Sequence, residues 1–341
     1  MKSKRVSIKD IAREVGVSNA TVSLVLNGKE KEGRIRKEVA EKVLLAAKEL
    51  NYEPNNFARG LRMGRSNTIG LILADISNSF FANIAFYVQE YAEEYGYSVI
   101  ITNTNESGEK MNKMINVLKS RQVDGFLIVP TEDGEEYIRE LSDTKVPLVL
   151  LDRFFPHLPI SHIVVNNYHT SFDAANMLLE SGCKNIGLII YDNQLPHMQD
   201  REKGYKEALT KKDSYHPALT KKITYSNIEQ DIANAIEELL KENPKVDGLF
   251  FASNSISVIG IKQLLKLGIR IPEDIQVVCF DKNEAFDFTP FHIPYVQQPI
   301  QEMSRKSVEV LMQQIKEPDT IPTTIEMFAS LSNISEINKS K

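Results

Sequence analysis

Residues 8–28 read IKDIAREVGVSNATVSLVLNG, and this stretch decides what the front of the chain is. Ile8, Ile11, Ala12 and Val15 recur at helical spacing, and Gly16 closes the pattern as a C′ glycine does. Ser18 then serves as the N-cap of a second helix from about Asn19 to Leu26, with Val22, Val25 and Leu26 on its apolar side. A helix-turn-helix needs a small residue where its helices cross, a turn residue tolerant of positive φ, and an apolar residue facing back. Ala12, Gly16 and Val22 meet those needs in that order. Asn27-Gly28 closes the second helix, and the charged loop KEKEGR follows. Val39, Val43, Ala46, Ala47 and Leu50 mark a third amphipathic helix stopped before Pro54. The spacing alone fits a generic three-helix bundle as well as a DNA reader.

Charge favours the second reading. The 341-residue chain carries a net charge of −5, which argues against a nucleic-acid partner until it is divided. Residues 1–65 hold 15 Lys and Arg against 8 Asp and Glu, a balance of +7, whereas the remainder stands at −12. A small basic head before a large acidic body is the asymmetry of a chain with a nucleic-acid-binding end.

Other classes fall away on composition. With 42% hydrophobic and 26% charged residues the chain is globular, and its length suggests two or three domains. Cys183 and Cys279 cannot form a disulfide framework or a structural zinc site alone and read as buried or half-buried structural residues. No apolar run approaches a membrane span, and the start MKSKRVSIKDIA lacks a signal peptide's apolar region, so a cytoplasmic protein without membrane contact is expected. That start and the basic head also count against a secreted sugar-binding protein. No phosphate-binding loop, dinucleotide turn, nucleophile elbow or metal-spaced histidine pair occurs, so neither an enzyme nor a cofactor is expected.

Residues 55–67, NNFARGLRMGRSN, form a linker with little apolar area to bury. From Asn67 onward the texture becomes β-α alternation. The apolar runs 69–73, 97–102, 125–129, 148–152, 185–190, 248–251 and 275–280 alternate with helical stretches such as 80–95, 170–181 and 200–211. Fully apolar strands between helices indicate parallel sheets covered on both faces, and this length predicts two lobes. Ligands in such folds lie beyond the carboxyl ends of strands. Asp75, Asn103, Asp152 and Asp281 all fall there.

The opening stretch, followed by ELNYEPNNFARGLR (49–62), resembles the lactose-repressor (LacI/GalR) family of bacterial transcription regulators. The resemblance continues in order through IGLILADISNSFF, VDGFLIVP, LVLLDR, REKGYKEAL, GIRIPEDIQVVCFD and VQQP, covering nearly the whole chain. It implies an all-α helix-turn-helix domain over 1–54, a hinge over 55–67, and a periplasmic-binding-protein type I body over 68–341. Lobe 1 is expected at about 68–164 and 294–322, and lobe 2 at about 165–293 and 323–341.

The implied roles follow position by position. The second helix enters the major groove with Asn19, Ala20, Thr21 and Ser23 toward DNA, while Ser18 acts first as a cap. Leu24 stands where the family often has a polar base reader, and the loop 28–34 is a few residues longer than in well-known relatives, which moves phosphate contacts to Lys29, Lys31, Arg34 or Arg36. Asn55, Ala58 and Leu61 match the hinge, with Leu61 as a minor-groove wedge.

Asp75, Phe80, Asp152, Arg201, Ser253 and Asp281 match positions that hold a small effector, with a carbohydrate as the expected class. A surface ion pair for Arg201 and a capping role for Asp281 remain open on the residues alone. Ser253-Asn254, Lys282 (placed to pair with Asp281), Ser79, Pro294 and Tyr295 depart from the family pattern, so the ligand differs from the best-known ones. The tail lacks leucine heptads, and a homodimer on double-stranded operator DNA is the expected assembly. Control by a corepressor or by a partner protein is the alternative.

Overall fold

In a computed structural model, which describes residues 6–52, 65–243 and 245–332, the chain divides into two compact units at Ser66 and Asn67. The first unit contains α1 (Ile8–Val15), α2 (Asn19–Leu26) and α3 (Lys37–Glu49). Its core is Ile11, Ala12, Val22, Val25, Ala40, Val43, Ala46 and Ala47. Gly16 ends α1 at φ 73°, a left-handed conformation that costs a residue without Cβ nothing. The second helix has the predicted bounds because Ser18 caps it: its hydroxyl accepts from the Thr21 amide at 3.1 Å. The hinge positions Asn55, Ala58 and Leu61 lie outside the described residues.

The second unit is built from two six-stranded sheets. In lobe 1 they are β1 (Thr68–Leu73), β2 (Ser98–Asn103), β3 (Gly125–Ile128), β4 (Leu148–Leu151), β5 (Ser161–Val165) and β11 (Thr324–Met327), in spatial order β11-β5-β4-β3-β1-β2 and all parallel. Lobe 2 has β6 (Ile186–Tyr191), β7 (Thr220–Ile223), β8 (Gly248–Phe251), β9 (Gln276–Phe280), β10 (Tyr295–Gln297) and β12 (Ser330–Leu331), in spatial order β12-β10-β9-β8-β6-β7. Only the β10–β12 pair is antiparallel. Helices cover both faces: α4 (Ser79–Glu94), α5 (Gly108–Ser120), α6 (Glu135–Asp143) and α11 (Ile300–Lys316) in lobe 1, and α7 (Asn167–Glu180), α8 (Pro196–Thr210), α9 (Ile228–Lys241) and α10 (Asn254–Lys266) in lobe 2.

The lobe boundaries near the end of the chain differ from those expected. Residues 295–297 pair with β9 and belong to lobe 2, not lobe 1, while 324–327 pair with β5 and belong to lobe 1, not lobe 2. The chain therefore crosses between lobes after β5, after β10 and again after β11. Hydrogen bonding of short strands to their neighbours in space sets these crossings, and a local hydrophobic pattern does not record it. Cys183 and Cys279 are buried free thiols in lobe 2, and burial pushes Cys183 up to about 11 and Cys279 up to about 12.

Candidate functional site

In the three-helix unit the candidate reading face is the start of α2. Ser18, Asn19 and Ala20 are exposed, and Thr21, Ser23 and Leu24 are half-buried. The Ser18 and Thr21 hydroxyls lie 2.9 Å apart, and the Asn27 amide donates to the Ser23 carbonyl, so capping already employs part of this polar surface. Leu24 does not simply present an apolar tip. Its terminal methyl packs so closely on Gly33 that a Cβ there would stand 2.7 Å away. Amides of Lys29 and Ile35 close the loop on the carbonyls of Leu24 and Glu30. Leucine at 24 and the longer loop after α2 are thus one feature: the side chain anchors the loop that carries Lys29, Lys31 and Arg34, all exposed. Sequence reasoning treated them separately.

In the two-lobed unit, Asp75, Phe80, Asp152, Arg201, Ser253 and Asp281 all line one narrow chamber of about 40 Å³. All but Arg201 sit where a strand has just ended or a helix begins. Asp75 follows β1 and Phe80 opens α4. Asp152 and Asp281 follow β4 and β9 with φ of 68° and 75°. This matched left-handed step, which Asp tolerates better than most residues, stops the strand in each lobe. Ser253 caps α10, accepting from the Ile256 amide at 3.4 Å. Asn103 lies outside the chamber and accepts from the Ile76 amide at 2.9 Å, bracing the loop behind Asp75.

Arg201 is 3% exposed, which removes the surface ion pair from consideration. It does not open its helix but stands in the second turn of α8. Its Nε donates to Asn167 and its Nη1 to the Ala252 carbonyl, each at 2.8 Å, and its guanidinium lies 3.5 Å over the Phe280 ring. Lys282 is exposed and does not pair with Asp281. Asp281 instead accepts from Gln298 Nε2 at 2.6 Å and from the Asn254 amide. Asn254 also takes a hydrogen bond from Ser79 Oγ at 3.4 Å, and Asn78 donates to Ser255 at the same distance, so the two departures at 79 and 254 bridge the lobes.

The chamber holds further residues that the sequence did not single out. Arg153 binds Glu106 through two bonds of 2.6 and 2.7 Å and lies 3.6 Å from Asp152. Tyr191 and Tyr225 face each other from lobe 2, and burial together with Asp75 of lobe 1 holds the Tyr225 phenol above its ordinary titration range. His197 and Gln298 complete the lining. For His197 a signal existed: it precedes Arg201 by four residues, one turn on the same helix face. Glu106 and Arg153 are 47 positions apart, and nothing local announces their pairing. Among the described residues, six buried side-chain polar atoms have no hydrogen-bond partner, and three of them line this chamber: Arg153 Nε, His197 Nδ1 and Gln298 Oε1. Buried polar groups are rarely left so, and their concentration here marks a place where a polar ligand completes the bonding.

Burial also sets the protonation states. It raises Asp281 to about 6 against the pull of Arg201 and Gln298, and it raises Asp152 against Arg153. Burial lowers Arg201 to about 10, and it holds His197 well below its ordinary value of 6.5, helped by Arg153 and Arg201. These shifts have opposite consequences for stability. The folded state retains the Asp281 proton that an unfolded chain releases near 3.8, so this stabilisation is lost as pH rises toward about 6. A neutral buried His197 stabilises the fold above 6.5, and that contribution fades as pH falls. Asp281→Asn should therefore lose stability more steeply than the parent between pH 6.5 and 5, and His197→Asn less steeply. Urea unfolding across that range reads both slopes; unchanged slopes would show that neither group titrates as described.

No helix among the described residues is long and apolar enough to cross a membrane, and no cluster among them is arranged to hold a metal ion. The family model for bacterial regulatory proteins of the lacI family matches residues 7–55. The model for periplasmic binding proteins and the sugar-binding domain of the LacI family matches residues 66–331. A ribose operon repressor of Halalkalibacterium halodurans is 34% identical over 91% of this chain and 90% of its own. Catabolite control protein A of Priestia megaterium is 30% identical over 94% of this chain and 95% of its own. A solved complex of the transcriptional regulator CelR with cellobiose is 26% identical, with a TM-score of 0.72 over 96% of this chain and 99% of that one. Together with a helix-turn-helix ahead of two parallel-sheet lobes around a polar chamber, these matches show that the chain belongs to the LacI family of DNA-binding transcriptional regulators.

Proposed function

We propose that the protein is a homodimeric repressor, acting in the cytoplasm, that binds a palindromic operator and changes its affinity when a small polyhydroxylated ligand occupies the chamber between its lobes. The observation that carries this reading is the convergence of Asp75, Phe80, Asp152, Arg201, Ser253 and Asp281 from both lobes on one cavity. Relatives named for a ribose operon and a regulator solved with cellobiose support a carbohydrate as the ligand class. The α2 face made by Ser18, Asn19, Ala20, Thr21 and Ser23 reads the major groove, with Leu24 holding the following loop for phosphate contact. Asn55, Ala58 and Leu61 act at the operator centre, where Leu61 wedges a base step. The protein binds its ligand without transforming it. Ligand and operator must then alter each other's affinity by the same factor.

Selection from random duplexes with the full chain should yield a palindromic site, and failure to enrich one would sink the reading. Leu61→Ala should weaken binding to that site by roughly 10- to 100-fold, the equivalent of about 1–3 kcal/mol. Its binding to unrelated DNA should change far less. Equal losses on both DNAs would remove the wedge.

A further inference from the structure

We propose that the effector is an uncharged polyol and that the chamber rejects phosphorylated or carboxylated versions of the same molecule; this rests on the reading of the chamber as the effector site. Four carboxylates line the cavity, Asp75, Glu106, Asp152 and Asp281, against two guanidiniums, Arg153 and Arg201. The one imidazole, His197, is buried and unprotonated near neutral pH.

Arginine is the usual partner for phosphate, and the chamber holds two guanidiniums. Neither is uncommitted. Arg153 gives both terminal nitrogens to the Glu106 carboxylate and one of them also to the Pro130 carbonyl. Arg201 spends Nε and Nη1 on Asn167 and Ala252 and lies flat on Phe280. An entering anion would find Arg201 Nη2 alone uncommitted, one nitrogen and not a free fork, and it would stand among four carboxylates, where like charges repel.

The partnerless atoms point the same way. Gln298 Oε1 can only accept, and His197 Nδ1 does either according to its tautomer, whereas Arg153 Nε already faces the Asp152 carboxylate at 3.6 Å. A phosphate or carboxylate group placed against Gln298 Oε1 offers acceptors alone and leaves that oxygen unsatisfied. A hydroxyl donates and accepts at once and suits both atoms. Phe80 and the Tyr191 and Tyr225 rings supply apolar surface for the C–H faces of such a ring.

The test is isothermal titration of the full chain with matched pairs: D-ribose and ribose 5-phosphate, D-glucose and glucose 6-phosphate, D-glucose and D-glucuronate. In every pair that gives heat, the neutral member is expected to bind at least tenfold more tightly. Asp281→Asn, which removes one lining charge and keeps an acceptor, should narrow that preference at least threefold. Equal or tighter binding of a charged member overturns the proposal and leaves the chamber standing as the effector site. Binding of no member of any pair, with DNA binding intact, overturns both the proposal and the carbohydrate reading beneath it.

Discussion

Arg201→Ala is expected to abolish the effector response while leaving ligand-free binding to DNA within about threefold of the parent, a difference near the additive error of independent sites. The side chain links α8 to α7 through Asn167 and to the end of β8 through Ala252, and its charge favours ionised Asp281 against burial. Its removal leaves a buried carbonyl and a buried amide oxygen without their donor, and Asp152 and Asp281 with one less compensating charge. Truncating one member of a buried hydrogen-bonded charge set costs about 2–5 kcal/mol of binding, or roughly 30- to several-thousand-fold in Kd. The three-helix unit has its own core and is untouched by the change. Because the same deletion lowers the stability of the lobe, Arg201→Lys is the needed companion. It restores a positive charge but not the planar fork, so it should recover folding and still fail to respond. Titration of effector into an operator complex decides the matter: a normal midpoint for Arg201→Lys would show that charge alone suffices, and a normal midpoint for Arg201→Ala would remove the residue from the site.

What the sequence disclosed follows from the range of each signal. The α2 helix was legible to its ends because a cap, a turn glycine and an apolar stripe are all local. The strand-end aspartates were legible because a fully apolar run that stops at Asp is its own marker. Three short strands of lobe 2 were not. In β7, TKKI, two lysines interrupt the apolar pattern, and β10 and β12 have three and two residues, too few for any period. The exchange of 295–297 and 324–327 between the lobes came from the same cause, since only their neighbours in space assign them. In the chamber, Glu106 and Tyr225 were missed because each arrives from a loop whose partner is far along the chain, whereas Arg153 in LVLLDR and Gln298 in VQQP lay inside quoted motifs, and nothing in those motifs shows which of their side chains face the chamber. Lys282 was misjudged for the opposite reason: adjacency in sequence to Asp281 suggested an ion pair, but successive residues past a strand end point in different directions.

The REKG motif contains a second residue whose replacement is expected to act strongly. Gly204 lies three residues after Arg201 on α8, and a Cβ there would overlap the Tyr168 carbonyl oxygen and stand 2.9 Å from the Phe172 backbone nitrogen. Both obstacles are main chain of α7, so no rotamer change relieves them, and the two helices must move apart. In an exposed helix Gly→Ala stabilises by roughly 1 kcal/mol. Here the overpacking cost, typically about 1–3 kcal/mol and larger against backbone, outweighs that gain. Gly204→Ala should therefore lower Tm by several degrees, at about 2–4 °C per kcal/mol for a unit of this size. It should also act at a distance of one turn. The Arg201–Asn167 bond spans the same pair of helices, and separating them lengthens a 2.8 Å contact that aims the guanidinium. Effector affinity should fall even where the protein remains folded, because misplacing a binding group by about 1 Å is enough to cost a large part of its contribution. Thermal unfolding and effector titration at a temperature well below Tm separate the two effects. A variant more stable than the parent would mean that α7 and α8 tolerate the methyl, and the close approach would then not be what places Arg201.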